Sequence, residues 1–225
     1  MTKKSKIFSR FDPLRLETAI RKDPAENPQY NMLSTSGGTI EVAYHHVKKA
    51  SQAVLWVGGA GGGLEGPAAG LYPRVANRLL QFGIASLRLD YRHPNYLDHC
   101  IRDVLLGIDY LKEEGITEVI LAGHSFGGAV VIGAGILRPH VAGVIAMSSQ
   151  LHGTRDVYKL SPKSLLLLHG TSDEILPAYC SENIYARALE PKEIILYPGC
   201  RHGLDHCISQ VDADLQKWIL NLWGI

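Results

Sequence analysis

Ser125 is the residue of this chain best placed to act as a nucleophile. It lies in the segment GHSFGG, residues 123–128, in which a glycine stands two positions before and two positions after the serine. The resulting pattern, GxSxG, is typical of a sharp turn from a strand into a helix, and the glycines leave room for the tight backbone. The same letters also describe an ordinary tight turn, so the rest of the chain must supply the context.

A serine hydroxyl becomes a strong nucleophile only when a neighbouring base takes its proton, and a third group must orient that base. Asp173 offers an acid in the segment HGTSDEILP, residues 169–177, and His202 offers a base in PGCRHG, residues 198–203. The order serine, acid, histidine along the chain is the order that accompanies a GxSxG turn. Glu174 is an alternative acid, His206 is an alternative base, and His124 is expected to shape the site.

These residues need a sheet to position them, and the hydrophobic pattern predicts one. Continuous apolar runs indicate strands buried on both faces, and apolar residues at helical spacing separate them. The alternation predicts an α/β fold with a mostly parallel, eight-stranded sheet, helices on both faces and an antiparallel hairpin at the start. The predicted strands cover residues 30–34, 39–47, 53–57, 84–89, 119–122, 141–147, 164–169 and 193–197, and the predicted helices cover 71–82, 96–114, 126–137, 177–189 and 205–222.

The domain organisation follows from the same pattern. Residues 1–29 mix charge with three prolines, and we interpret them as an N-terminal arm with a short helix over residues 14–21. Residues 30–225 form one predicted domain, a common size for a domain of sheet and helices. In parallel sheets, ligands bind beyond the carboxyl ends of the strands, where the serine, acid and histidine segments all fall.

Composition excludes several classes of function. The chain has 225 residues, a net charge of +1, 46% hydrophobic residues and 20% charged residues. This balance is typical of globular proteins and gives no basis for a nucleic-acid or membrane partner. No apolar stretch approaches the length of a membrane span, and the basic start lacks the apolar core of a secretory signal, so we expect a cytoplasmic protein.

The four cysteines, Cys100, Cys180, Cys200 and Cys207, contain no CxxC pair and are too few for a disulfide framework. We therefore expect reduced thiols. His45 and His46 alternate across a predicted strand, and neither HExxH nor a Cys/His cluster occurs, so no metal site is expected.

Taken together, the three segments resemble those of the α/β-hydrolases, in particular the compact members related to dienelactone hydrolases and small carboxylesterases. The resemblance covers roughly residues 30–222. It implies an α/β-hydrolase fold in which Ser125 is the nucleophile, His202 the general base and then acid, and Asp173 the group that orients His202. It also implies hydrolysis of an ester or thioester of a small-molecule acyl substrate through an acyl-enzyme, with no cofactor.

An oxyanion hole in such an enzyme needs two N–H donors. The first is expected from Phe126, the residue after the nucleophile. The second is expected from residues 58–63 of the glycine loop, which we define as residues 58–66, and Ala60 occupies the family's position there. This chain has Gly58-Gly59 where the family usually has His-Gly, so Gly59 and Gly61 stay open as donors. Gly59, Gly61, Tyr91, Ile175 and Leu176 are the candidate substrate-binding residues.

Other functions compete with this interpretation. Gly61, Gly63 and Gly66 also fit GxGxxG after a strand, with Asp90 at the end of the next strand, which is the layout of a dinucleotide site. That hypothesis leaves the serine, acid and histidine without a role. A catalytically idle hydrolase fold that binds a small molecule, and an acyltransferase that uses the same three residues, are the remaining alternatives.

Overall fold

The computed structural model describes residues 14–21 and 26–225. It contains one nine-stranded sheet in the order β1-β2-β3-β5-β4-β6-β7-β8-β9. The strands are β1 (Leu16–Arg21), β2 (Gln29–Thr35), β3 (Gly38–His45), β4 (Gln52–Val57), β5 (Ala85–Leu89), β6 (Glu118–His124), β7 (Val141–Met147), β8 (Ser164–Gly170) and β9 (Lys192–Tyr197). The helices are α1 (Pro67–Leu79), α2 (Leu97–Glu113), α3 (Phe126–Leu137), α4 (Tyr179–Arg187) and α5 (Ile208–Trp223), with short 3₁₀ turns at Leu80–Phe82 and Val157–Leu160.

The sheet is antiparallel at one end and parallel through the rest. Strands β1, β2, β3 and β5 pair antiparallel in that order, and every pair from β5 through β4 to β9 is parallel. The predicted fold class is therefore confirmed, with one strand more than the eight expected. Because parallel strands end at the same edge, the loops after β4, β6, β7, β8 and β9 all lie there.

Two apolar cores form on the two faces of the sheet. Alternate residues of β4 point to opposite sides, so that Leu55 packs with α2 and α3, whereas Trp56 packs with α1 and α5. Helix α3 begins directly after Ser125, and nearly all of its side chains are buried. A helix that is apolar on all sides belongs inside a fold, and here it holds the serine turn on a rigid base.

The extra strand is β1, at residues where a short helix was predicted, and that prediction is wrong. β1 pairs with β2, and a bulge between Leu16 and Thr18 interrupts its alternation. Leu16 and Ala19 are partly buried against the core. The bulge hides the period of two by which a strand is recognised in a sequence. The rest of the predicted arm, residues 1–13 and 22–25, lies outside the described residues.

None of the helices in the described part of the chain is both long and apolar enough to span a membrane.

Candidate functional site

The turn between β6 and α3 holds Ser125 in a backbone conformation that residues other than glycine rarely adopt, with φ 57° and ψ −118°. A Cβ atom on Gly123 would collide with the carbonyl of Gly127, and one on Gly127 would collide with the carbonyl of Gly58. The Ser125 N–H donates to the carbonyl oxygen of Met147, 2.7 Å away, at the end of β7. The two glycines of the motif are therefore required by close packing, and the turn is anchored to the neighbouring strand.

The structure brings Ser125, His202 and Asp173 into one hydrogen-bonded chain. The Ser125 Oγ lies 3.0 Å from His202 Nε2, and His202 Nδ1 lies 2.7 Å from Asp173 Oδ2. The His202 side chain is 16% exposed, whereas that of Asp173 is fully buried. In this geometry, a neutral imidazole donates from Nδ1 to the carboxylate and accepts the serine proton at Nε2.

Asp173 lies in the acid loop, residues 171–178, where its Oδ1 accepts the N–H groups of Ile175 at 2.9 Å and Leu176 at 2.8 Å. Burial raises the pKa of this carboxyl, but the hydrogen bonds from Leu176, His202 and Ile175 together hold the pKa below its usual value. Asp173 is therefore ionised and fixed. The alternative acid, Glu174, is exposed, and its Oε2 lies 3.5 Å from the main-chain nitrogen of His202.

The histidine loop, residues 198–207, is held through the main-chain carbonyl of His202. This oxygen accepts from His124 Nε2 at 2.9 Å and from Ser148 Oγ at 3.1 Å. The rings of His124 and His202 lie 4.8 Å apart. Burial lowers the pKa of His124 to about 4, so His124 adds no second positive charge beside His202 near neutral pH. The expectation that His124 shapes the site gains a definite contact.

A disulfide joins Cys200 to Cys207 and closes the histidine loop around His202. The expectation of four reduced thiols is therefore wrong for this pair, and it failed because pairing depends on distance in space rather than on a CxxC spacing. The main chain within the loop turns so that the two Cα atoms lie 6.0 Å apart. Cys100 and Cys180 are free and buried.

The glycine loop approaches the serine from the end of β4. A Cβ on Gly59 would lie 3.5 Å from the Ser125 Cβ, whereas one on Gly61 would meet no atom within 4 Å. Ala60 is exposed between them. Phe126 is the first residue of α3, so its N–H has no acceptor within the helix. Gly59 is thus the loop residue placed next to the nucleophile, and the choice of the second oxyanion donor stays a prediction.

Buried tyrosines support this loop from behind. The Tyr91 hydroxyl donates to the carbonyl of Gly58 at 3.2 Å, and the Tyr72 hydroxyl donates to the carbonyl of Val57 at 2.7 Å. Burial raises the pKa of both hydroxyls, which keeps them protonated donors. Tyr91 was predicted to bind substrate. Only 6% of it is exposed, so its observed contact is with the loop.

The two acid-loop residues predicted to bind substrate differ in exposure. Ile175 is 64% exposed beside Asp173, and Leu176 is half-buried, with its carbonyl turned inward to His169. A cavity of about 300 Å³ lies just beyond the carboxyl end of β4. Its walls come mainly from the glycine loop, together with Pro67 and His124. Substrate binding by these residues stays a prediction.

Asp90, the acidic residue on which the dinucleotide hypothesis depends, binds the main chain of this protein instead. Asp90 Oδ1 accepts the N–H of Gly63 at 2.7 Å and that of Tyr91 at 2.8 Å, so the carboxylate holds the glycine loop in place. Within the described residues, no group of histidine, cysteine, aspartate or glutamate side chains is arranged to hold a metal ion.

Three residues that contribute to the site were not predicted from the sequence: Ser148, His169 and Ser181. His169 contacts Asp173, and Ser181 contacts His169. The available signal was the run of four leucines at 165–168 that ends in His169, because a polar side chain in a buried strand requires a partner.

Sequence comparisons find similar proteins that are themselves uncharacterized. No family model matches the chain. It is similar to the uncharacterized protein YfhR of Escherichia coli (strain K12), 33% identical over 107 residues, which cover 37% of this chain and 38% of that protein. YfhR of Salmonella typhimurium is 29% identical over 109 residues, 46% of this chain and 34% of that protein. The chain thus spans little more than a third of the length of these curated relatives.

Solved structures resemble the chain over nearly its whole length. Est1E from Butyrivibrio proteoclasticus aligns with a TM-score of 0.76 and 18% identity, covering 87% of this chain and 99% of that one. Dienelactone hydrolase from Anabaena variabilis aligns with a TM-score of 0.72 and 16% identity, covering 93% and 99%. An alpha-beta serine hydrolase homologue from Coxiella burnetii gives 0.73 and 16%, covering 87% and 99%. The chain has the α/β-hydrolase fold.

Proposed function

We propose that this protein is a serine hydrolase that cleaves an ester or thioester of a small-molecule acyl substrate. The observation that carries the proposal is the continuous chain from Ser125 Oγ through the His202 ring to the buried Asp173 carboxylate. Structural neighbours that are named as a dienelactone hydrolase and a serine hydrolase homologue support the same class.

In the first half of the reaction, Ser125 Oγ bonds to the substrate carbonyl carbon as its proton moves to His202 Nε2. The carbonyl oxygen becomes an oxyanion, which the N–H of Phe126 and an N–H of the glycine loop stabilise. Removal of one such donor costs about 3 kcal/mol of transition-state stabilisation. When the tetrahedral intermediate collapses, the bond to the alcohol or thiol breaks, and the leaving group takes the proton from His202.

In the second half, water attacks the acyl-enzyme and gives a proton to His202 Nε2. The intermediate then releases the carboxylic acid, and the proton returns to Ser125. Asp173 stays ionised throughout and stabilises the imidazolium at each step.

Access to the serine argues for small or exposed acyl groups. The connection between β7 and β8 contains only the short 3₁₀ turn Val157–Leu160, so it offers little material for a lid. Exposed Ile175 lies at the edge of the acid loop. We expect an open, shallow site rather than a deep lipid tunnel.

Labelling with a fluorophosphonate tests the proposal directly, because this probe phosphonylates an activated serine without requiring the natural substrate. We expect wild-type protein to be labelled and Ser125→Ala to be unlabelled. The exposed acid-loop serine supplies a control, since Ser172→Ala should label at the wild-type rate. Folded wild-type protein that fails to react would contradict the proposal.

Turnover assays separate the finer alternatives. Hydrolysis of short p-nitrophenyl esters would be compared with hydrolysis of acyl-CoA and peptide substrates. An acyltransferase would label but turn over faster with an added alcohol or amine acceptor than with water. An idle binding module would neither label nor hydrolyse. A cytoplasmic location stays a prediction, and the Cys200–Cys207 disulfide weighs against it because such bonds persist in oxidising compartments.

A further inference from the structure

His169 is a fully buried histidine whose two ring nitrogens are both hydrogen-bonded. Nδ1 lies 2.7 Å from the Ser181 hydroxyl on α4. Nε2 lies 3.0 Å from Asp173 Oδ2 and 2.9 Å from the carbonyl oxygen of Leu176. The reaction steps described above give His169 no role, although it contacts the same carboxylate oxygen as His202.

These partners determine where the ring carries its proton. The Asp173 carboxylate and the Leu176 carbonyl can only accept hydrogen bonds, so the Nε2 that faces both must carry hydrogen. Nδ1 is then free to accept from the Ser181 hydroxyl. This chain of donors runs from Ser181 through His169 to Asp173, and each bond polarises the next.

His169 also fixes the conformation of the acid loop. Asp173 Oδ1 accepts the Leu176 N–H, while Nε2 of His169 binds the carbonyl of the same residue and the other oxygen of Asp173. The carboxylate is therefore prevented from rotating about its last side-chain bond. Its Oδ2 is shared between two N–H donors, one from His169 and one from His202.

We propose that His169, oriented by Ser181, is a positioning residue that fixes the Asp173 carboxylate and limits the negative charge it presents to His202. The inference rests on the proposed function and adds to it a residue that acts on His202 through Asp173. Loss of the His169 donor leaves more charge on Oδ2, which stabilises the imidazolium form of His202. The base then requires a higher pH to become free.

The measurement is the pH dependence of the second-order rate of fluorophosphonate labelling at Ser125, which needs the same base and no known substrate. In His169→Leu, we expect the acidic limb of this profile of labelling rate against pH to move to higher pH by about half a unit or more, because the ionised Asp173 carboxylate loses one hydrogen bond. The plateau rate should also fall, because the carboxylate is free to rotate. In His169→Gln, whose amide can donate to Asp173, both effects should be smaller.

Other titratable groups around His202 are constant across these variants. They are His124 from β6 and Asp173 and Glu174 from the acid loop, whereas His169, behind Asp173, is the group that is substituted. Ile184 is a buried apolar residue of α4 that makes none of these hydrogen bonds. Ile184→Ala therefore serves as the matched control: it should lower stability and leave the acidic limb where it is.

Three outcomes would overturn the inference: an unchanged limb in His169→Leu, a limb that moves to lower pH, or the same shift in Ile184→Ala. If His169→Leu does not fold, Ser181→Ala replaces it, since loss of the hydroxyl weakens the Nε2–H donor and should move the limb in the same direction by a smaller amount. Failure of the proposed function is distinct, because wild-type protein itself would then remain unlabelled.

Discussion

Replacement of Asp173 by asparagine should nearly abolish activity, and the hydrogen bonds around the carboxylate explain why. Oδ1 accepts two backbone N–H groups, and Oδ2 accepts N–H groups from the His202 and His169 rings. In Asp173→Asn, the amide oxygen keeps the two backbone bonds only if its NH₂ group takes the place of Oδ2. The N–H donors of the His202 and His169 rings then face a third donor, the NH₂ group of the asparagine.

The conflict at the His202 ring is relieved when His202 moves its proton to Nε2, so that Nδ1 can accept from the asparagine. A protonated Nε2 cannot take the proton of Ser125, 3.0 Å away. Loss of the correct tautomer costs a Ser–His–Asp enzyme about 10⁴ in turnover, which equals about 5.4 kcal/mol of transition-state stabilisation. We expect Asp173→Asn to lose activity on this scale.

The assay is kcat/KM on a short p-nitrophenyl ester together with the rate of fluorophosphonate labelling, and both should fall together. Circular dichroism must show that the variant is folded. Glu174→Gln is the matched control, because it neutralises an exposed neighbouring carboxylate that approaches only the main chain of His202. If Asp173→Asn kept activity within tenfold of wild type while Glu174→Gln lost it, the assignment of the acid would be wrong.

Two further predictions concern stability. The disulfide between Cys200 and Cys207, seven positions apart, should contribute about 2.5 kcal/mol to the free energy of unfolding through loop-closure entropy. The variant that combines Cys200→Ser with Cys207→Ser should have a free energy of unfolding in urea that is lower by that amount, and its Ser125 should react more slowly with the fluorophosphonate. Equal free energies of unfolding in the variant and the wild type would contradict this prediction. Burial lowers the pKa of both His45 and His124 to about 4, so the unfolded chain binds their protons first as pH falls. The contribution of these two histidines to the free energy of unfolding should be complete above about pH 6.5 and should decrease towards pH 4. The decrease should reach up to about 1.4 kcal/mol per pH unit for each histidine. A free energy of unfolding that does not change over this pH range would refute the prediction.

The parts of the molecule that could be predicted from the sequence are those governed by local rules. Strands buried on both faces, such as β8 with its four leucines, leave a continuous apolar run, and a GxSxG turn needs its glycines for steric reasons that act within a few residues. The fold class follows from the alternation of such runs with helices. β1 was not predicted as a strand because its bulge breaks the alternation of apolar and polar residues within a short edge strand.

The parts that could not be predicted depend on distances between remote segments. No spacing rule pairs Cys200 with Cys207, and no local signal says that Ser148 will reach the carbonyl of His202. The same holds for the glycine loop, where the sequence left three residues open as donors. Only the packed structure places Gly59 beside Ser125 and leaves Gly61 facing open space.

The sheet order explains why the histidine loop needs so many supports. Ser125 follows β6 and His202 follows β9, and β7 and β8 lie between them. Three strand spacings amount to about 14 Å, far beyond the reach of an imidazole ring. The loop must therefore bend back across the ends of the two intervening strands.

The segments at the ends of β6, β7 and β8 each supply a contact for the loop. β6 contributes His124 and β7 is followed by Ser148, both at the His202 carbonyl, and the segment after β8 contributes Asp173 at the ring. On the far side, the carbonyl of Gly203 accepts the N–H of Ala68 at 2.7 Å, which ties the loop to the start of α1. The position of His202 is thus set by contacts from several elements, and loss of any one of them should weaken the 3.0 Å approach to Ser125 before it unfolds the protein.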